Sequence, residues 1–311
     1  DNGSLKAKFC AEGNRAMYQY CNERSIPHKN LGKFIVATSD NEIEKLEQIF
    51  NQAKESELFN IEKVSGAFIN AEEPLVQCVQ GLYVPSSGIV DTSALMRSYL
   101  GELEDNGGFV AFLSKFEKAE IINNNFIVSV SQGNESMKIK SRILINSAGL
   151  YAEEVAQKQD FLNQETIPKT YYAKGSYFET GKKLDIRRLI YPVPNEASLG
   201  LHLGFDMGMA VRFGPDLEWI EKINYDVDKT KKNKFYEDIK KYIPSFDISF
   251  LKPGYSGVRP KLKNKGQGKS DFMIQDYENH KINNLVNLFG MESPGLTSSL
   301  VIADYVNNLV N

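Results

Sequence analysis

Two short apolar strands, each running into a small-residue turn and then a helix, constrain this chain more than any other feature. The first is Arg142-Ile143-Leu144-Ile145-Asn146, followed by Ser147-Ala148-Gly149 and a helix opening near Tyr151. The second is Leu285 to Phe289, followed by Gly290-Met291-Glu292-Ser293-Pro294-Gly295 and a helix to the C-terminus. Apolar runs of this length between turn signals suit strands buried on both faces. Small residues at such a corner let backbone approach a bound group, and the free N–H groups of the next helix favour a negative partner. Ordinary α/β packing, with Ser and Thr as helix caps, produces the same pattern.

Other elements are read from spacing. A helix is expected over residues 5–23, where Leu5, Phe9, Ala16 and Tyr20 share a face until Ile26-Pro27 breaks it. Residues 32–37 read as a buried strand, and 41–55 as a helix behind Ser39 and Asp40. Leu82-Tyr83-Val84 is a strand closed by a Pro/Gly turn, and Asp91 caps a helix that ends at Asn106-Gly107-Gly108. Residues 109–146 suggest an antiparallel meander, and 167–250 a second β-rich body with one lysine-rich helix near 229–242. The fold class expected is α+β, a nucleotide-binding domain interrupted by a substrate domain.

Composition narrows the function classes. The 311 residues carry a net charge of -3, which gives no electrostatic reason to expect nucleic acid as a partner. No apolar run is long enough for a membrane span, and Asp1 to Leu5 show no signal peptide. Cys10, Cys21 and Cys78 are odd in number and lack a CxxC pair, which fits a reducing cytoplasm. His28, His202 and His280 have no metal-ligand spacing, so no metal is expected.

Two further segments carry chemistry. In Gly254-Tyr255-Ser256-Gly257-Val258-Arg259-Pro260 the arginine before proline is held extended, and its planar guanidinium suits bidentate carboxylate recognition. In Leu199-Gly200-Leu201-His202-Leu203-Gly204 a histidine alternates with apolar residues on a strand. A satisfied core histidine and a proton acceptor near neutral pH are both compatible with that position. There is no G-x-G-x-x-G in the chain, and Gly266-Gln267-Gly268-Lys269-Ser270 fails as a P-loop because Lys263 stands where the earlier glycine is required.

The order and wording of these segments resemble a known family. Ser4-Leu5-Lys6-Ala7-Lys8, Gly32 to Ala37, Pro85 to Asp91 and Asn146-Ser147-Ala148-Gly149-Leu150-Tyr151-Ala152 carry part of the likeness. Tyr191-Pro192-Val193-Pro194, Leu199 to His202, Phe213-Gly214-Pro215, Gly257 to Pro260 and Glu292 to Thr297 complete it. Together the chain resembles the FAD-dependent amino- and hydroxy-acid oxidoreductases of the D-amino-acid oxidase and glycine oxidase type, in the L-2-hydroxyglutarate dehydrogenase branch.

The resemblance implies an α/β FAD-binding domain of the glutathione-reductase-like type, incomplete here, with an inserted antiparallel-sheet substrate domain. Residues 1–80 would open the substrate domain, with helix 5–23 on the FAD side. Residues 81–165 and 253–311 would belong to the FAD domain, and 166–252 to the substrate domain. It implies FAD as cofactor, beside Ala148, Gly149, Leu150, Gly257, Val258, Arg259, Glu292, Ser293, Pro294, Gly295, Leu296 and Thr297. His202 would take the substrate hydroxyl proton, Arg259 would clamp a carboxylate, and Lys174 and Tyr177 would be secondary polar groups. The substrate implied is a small 2-hydroxy acid, with oxygen or a membrane quinone pool as electron acceptor and peripheral contact with the inner membrane in the latter case. Amine oxidases and glycerol-3-phosphate dehydrogenases of the same fold, and a non-catalytic fragment, are the rivals. The family's dinucleotide fingerprint is missing from these residues, which predicts weak FAD binding by them alone.

Overall fold

The computed structural model describes residues 3–56, 60–194 and 200–310, so Leu199 of the histidine segment lies outside the described residues. Helix α1 (Leu5–Glu23) is capped by Ser4, whose side chain accepts from Ala7 N–H, and leads to β1 (His28–Asn30) and β2 (Lys33–Ala37). Helix α2 (Ile43–Ser56), β3 (Glu62–Ser65), α3 (Gly66–Glu72), β4 (Gln80–Val84) and β5 (Gly88–Val90) follow. Helix α4 (Thr92–Asp105) starts at Asp91, whose carboxylate accepts from Ala94 N–H. The meander expected next is β6 (Lys115–Ile122), β7 (Asn125–Gln132) and β8 (Glu135–Ser141), a three-stranded antiparallel sheet.

Strand β9 (Leu144–Asn146) runs into α5 (Ala152–Gln157). Then come β10 (Tyr171–Glu179), β11 (Leu189–Pro192), β12 (Leu203–Phe205), β13 (Val211–Phe213), β14 (Glu218–Ile220), α6 (Lys232–Lys240) and β15 (Lys252–Lys261). Strand β16 (Met273–Gln275), α7 (Tyr277–His280), β17 (Leu285–Phe289) and α8 (Gly295–Val310) end the chain. The helix expected over 41–55 begins two residues later than read, after a 3-10 turn at Asp40–Glu42, where Glu42 folds back to accept from Thr38 N–H and Oγ1. The lysine-rich helix is likewise shorter, with Lys229–Lys231 in a 3-10 turn.

A nine-stranded sheet, ordered β14-β10-β13-β12-β11-β2-β4-β3 with β15 on β10, is antiparallel apart from the parallel pair β11–β2. Its two faces follow from side-chain alternation. Phe34, Val36, Phe178, Ile190, Leu203 and Phe213 point one way and bury against Phe235, Ile239 and Tyr242 around α6. Fully burying an aromatic or branched side chain contributes about 1.5–3 kcal/mol, so this face anchors the sheet. The alternate positions, among them Lys33, Tyr191, Arg212, Tyr177 and Arg259, are left for the opposite face.

The two strands flagged in the sequence lie side by side. Strand β9 pairs parallel with β17, in register Asn146↔Asn287, and β16 closes the other edge of β17. Both chain reversals after these strands therefore emerge at the same end, where open α/β sheets bind ligands. Gly290 turns the chain out of β17 with φ +67°, a conformation that side chains other than glycine adopt only under strain.

Helix α1 packs on α8 through Phe9, Ile302 and Val306. Their closest approach is at Gly13, where an added Cβ would stand 2.3 Å from Thr297 O. Gly13→Ala should therefore cost at least about 1–3 kcal/mol, since backbone rather than a mobile side chain must yield. A thermal unfolding midpoint equal to that of the parent protein would contradict this reading. Among the described residues no helix is long and apolar enough to cross a membrane.

Candidate active site

The two turns from β9 and β17 frame one large cavity of about 1020 Å³. Ile143, Ile145, Leu288, Ile302, Val306 and Val310 give it apolar walls, and Ser147, Val258, Arg259 and residues 291–297 form its polar rim. Helix α8 opens onto it. The Gly295 N–H is taken by Glu292 O and the Ser298 N–H by Pro294 O, whereas the N–H groups of Leu296 and Thr297 have no acceptor among the described residues. Two such donors at the positive end of a 16-residue helix offer a seat for a ring edge that gains negative charge.

Glu292 has a structural task within this rim. Its carboxylate, 2% exposed, accepts from Lys6 Nζ of α1 at 2.7 Å and from Lys261 Nζ of β15 at 2.8 Å. It ties the turn to both neighbouring elements. The β9 turn is quieter: Ala148 N–H donates to Asn146 Oδ1, Leu150 O accepts from the Tyr172 hydroxyl, and space beside Gly149 is open. Of that segment Ser147 reaches the cavity wall.

A second cavity of about 280 Å³ sits above the first, and Arg259 and Ser293 line both of them or the turn between. Its other walls are Tyr177, Tyr191, His202, Arg212 and Tyr255, with Gly204 and Gly214 leaving room. The register explains the gathering: His202 stands just before β12 across from Tyr191, and Arg212 opposes Gly204 and Glu179. The His202 ring stacks on Tyr191 with centroids 3.7 Å apart and planes 4° from parallel. Gly214 N–H donates to His202 O, fixing the backbone there.

Arg259 is paired with no carboxylate among the described residues, and its positive charge bears on the Tyr177 hydroxyl. Burial, reinforced by Tyr255 and opposed by Arg259, pushes Tyr177 up to about 12, so it stays protonated at any physiological pH. It can accept from Arg259 and still donate its own hydrogen to a ligand. Tyr177 also stacks on Tyr255 at 4.6 Å, which holds both rings.

His202, Arg259 and Tyr177 are thus brought together. Lys174 is not. Three residues before Tyr177 on β10, it faces the other side of the sheet, where its ammonium donates to Asn224 Oδ1 at 2.8 Å and Asp226 O at 3.2 Å. Gly257 opposes Gly175 on β15, and an added Cβ there would meet open space. Sequence reasoning passed over Arg212 and Lys33. Each is a charge in a strand beside buried apolar residues. Lys33 opens on a third cavity, of about 280 Å³, with Cys10, Asn14, Ser86 and Ser87, and burial pushes its ammonium pKa down.

These residues fit the ring end of a flavin: apolar walls for a fused aromatic system and free N–H groups for its polar edge. Val258, Arg259 and residues 291–297 would make the contact, while residues for a diphosphate are not identified among them. Among the described residues no group of three His, Cys, Asp or Glu side chains is gathered as for a metal.

Comparison with known proteins agrees with this geometry. The profile described as FAD dependent oxidoreductase matches residues 1–309. The mitochondrial L-2-hydroxyglutarate dehydrogenase of Arabidopsis thaliana is 36% identical, over 98% of this chain and 71% of its own length. The L-2-hydroxyglutarate dehydrogenase of Indibacter alkaliphilus is 29% identical, over 98% of this chain and 83% of its own. Among solved structures, the L-alpha-glycerophosphate oxidase of Mycoplasma pneumoniae with FAD bound superposes with a TM-score of 0.86 at 21% identity, over 100% of this chain and 81% of that one. Glycine oxidase from Bacillus cereus gives 0.78 at 15% identity, over 97% and 81%. The last two likenesses establish the fold, an α+β FAD-binding architecture with an antiparallel sheet.

Proposed function

The chain belongs to the FAD-dependent oxidoreductase family, and from that premise we propose that it oxidises a short 2-hydroxy dicarboxylate, L-2-hydroxyglutarate, to the 2-oxo acid. The observation that carries the reading is the small cavity: an arginine without a carboxylate partner among the described residues and a histidine face the same space, beside the turn at Ser293. The relatives' names give the substrate, and the geometry supplies groups suited to it.

FAD, when bound in the larger cavity, supplies the acceptor for the hydride that leaves the substrate carbon. Arg259 binds the carboxylate next to the reacting carbon through charge-assisted bonds, and the Tyr177 hydroxyl adds a donor. His202 accepts the proton from the substrate hydroxyl, held in place by its stack on Tyr191. Fixing carboxylate and hydroxyl together orients the carbon–hydrogen bond, which is where much of the rate enhancement arises. The sheet from β10 to β15 forms the substrate side, and β9, β17, α1 and α8 the cofactor side.

The test is anaerobic bleaching of the FAD-loaded protein's absorbance. L-2-hydroxyglutarate should bleach it within seconds, whereas glycine, sarcosine and glycerol 3-phosphate should leave it yellow. Bleaching by an amine or by glycerol 3-phosphate instead would reassign the substrate. The same assay opened to air distinguishes the acceptors: peroxide formation marks oxygen, and turnover only with an added quinone marks a membrane pool.

A further inference from the structure

We propose that Arg212 is a second carboxylate-binding residue, holding the far carboxylate of a substrate whose near carboxylate sits on Arg259. This rests on the reading of the site given above and deepens it, since it makes the second acid group the basis of selection.

Arg212 lies in the middle of β13, between Val211 and Phe213, both fully buried in the core on the other face. Alternation therefore turns Arg212 toward the side that carries His202 and Tyr177. It lines the same 280 Å³ cavity as Arg259 and His202. Opposite it on β12 is Gly204, where an added Cβ would meet nothing closer than Leu189 Cδ2 at 3.9 Å. No side chain from that neighbour stands between the guanidinium and the cavity.

The guanidinium is placed without being used up. It lies over the Tyr255 ring, 5.3 Å from the centroid, and Tyr255 stacks on Tyr177, whose hydroxyl feels the charge of Arg259. The two arginines thus flank one stacked tyrosine pair. Its Nε approaches Glu179 at 3.3 Å, and one terminal nitrogen approaches Asp206 at 3.9 Å. A guanidinium has five N–H donors, so most of the fork is available. Glu179 and Asp206 are about a third exposed, so water screens them and leaves the positive charge effective toward the cavity.

Among the described residues no carboxylate lines the cavity to oppose a dianionic ligand. Its volume is at the lower limit of about 300 Å³ for small-molecule pockets, which suits a short acid. A structural ion pair among Arg212, Glu179 and Asp206 would account for the same distances, but it predicts equal effects on every substrate.

The experiment uses the FAD-loaded protein and its Arg212→Met and Arg212→Lys variants, with L-2-hydroxyglutarate and L-2-hydroxybutyrate, which lacks the far carboxylate. Arg212→Met should raise KM for the diacid roughly 10- to 100-fold, the value of a charged hydrogen-bond pair, with kcat little changed. KM for the monoacid should stay within about twofold, and Arg212→Lys should recover part of the loss. Equal losses on both acids, or none on the diacid, would overturn the assignment. Binding of unreactive glutarate and butyrate, followed by perturbation of the flavin spectrum, separates this from a failure of the substrate reading. Should neither hydroxy acid be oxidised, a glutarate preference abolished by Arg212→Met still supports the subsite, and its absence in the parent protein overturns it.

Discussion

His202→Ala is expected to slow reduction of the FAD-loaded protein by L-2-hydroxyglutarate about 10²- to 10⁴-fold, the usual contribution of a positioned proton acceptor. The size of the effect follows from what else is in the cavity. Its titratable lining is Tyr177, Tyr191, Tyr255, Arg212 and Arg259 beside the histidine. The arginines are permanent cations, and Tyr177, pushed up to about 12, holds its proton near neutrality. Burial also raises Tyr191. Among the described residues no carboxylate or second imidazole lines the cavity, so deletion of the imidazole leaves water as the proton acceptor. Single-turnover reduction by stopped flow measures the step directly. A near-normal rate constant in His202→Ala would remove His202 from the reaction. Binding of the 2-oxo acid product should survive, because Arg259 and Arg212 are untouched.

How much of this was legible beforehand depended on the kind of signal. Helix 5–23, the capped helix behind Asp91, the meander and both strand–turn–helix corners could be read because each is set by local spacing, caps and turns. The Lys174 assignment failed on a one-residue matter. On β10 the parity of the position decides the face, and Tyr177 and Lys174 differ by three. Sequence likeness supplied both residues but not the parity that separates them. Arg212 was missed for a related reason: a three-residue strand shows too little alternation to reveal that its central charge faces a cavity. Ion pairs between distant segments were beyond spacing altogether, since Lys6 and Glu292 are 286 residues apart. Glu292, expected beside the cofactor, lines the larger cavity, and its carboxylate serves the protein's own lysines.

That carboxylate carries the second large prediction. Glu292→Ala should destabilise the protein by about 3 kcal/mol, the low end of the 3–5 kcal/mol for breaking a buried ionic group. Removal leaves Lys6 and Lys261 facing each other's charge with side chains only 19% and 24% exposed. That residual exposure lets water recover part of the cost, which sets the low end. Lys6 also donates to Ser270 O, so it cannot swing free without losing a further bond. At roughly 2–4 °C per kcal/mol, the unfolding midpoint should fall by about 6–12 °C. Lys6→Met should cost less, because Glu292 keeps Lys261, and in the Glu292→Ala background Lys6→Met should be neutral or stabilising. The turn at Ser293 to Gly295 is anchored by the same carboxylate, so FAD affinity should drop in Glu292→Ala and be largely restored in Glu292→Gln, which retains an acceptor oxygen. A lysine variant as damaging as the glutamate variant would mean that the turn is held by something other than this ionic clamp.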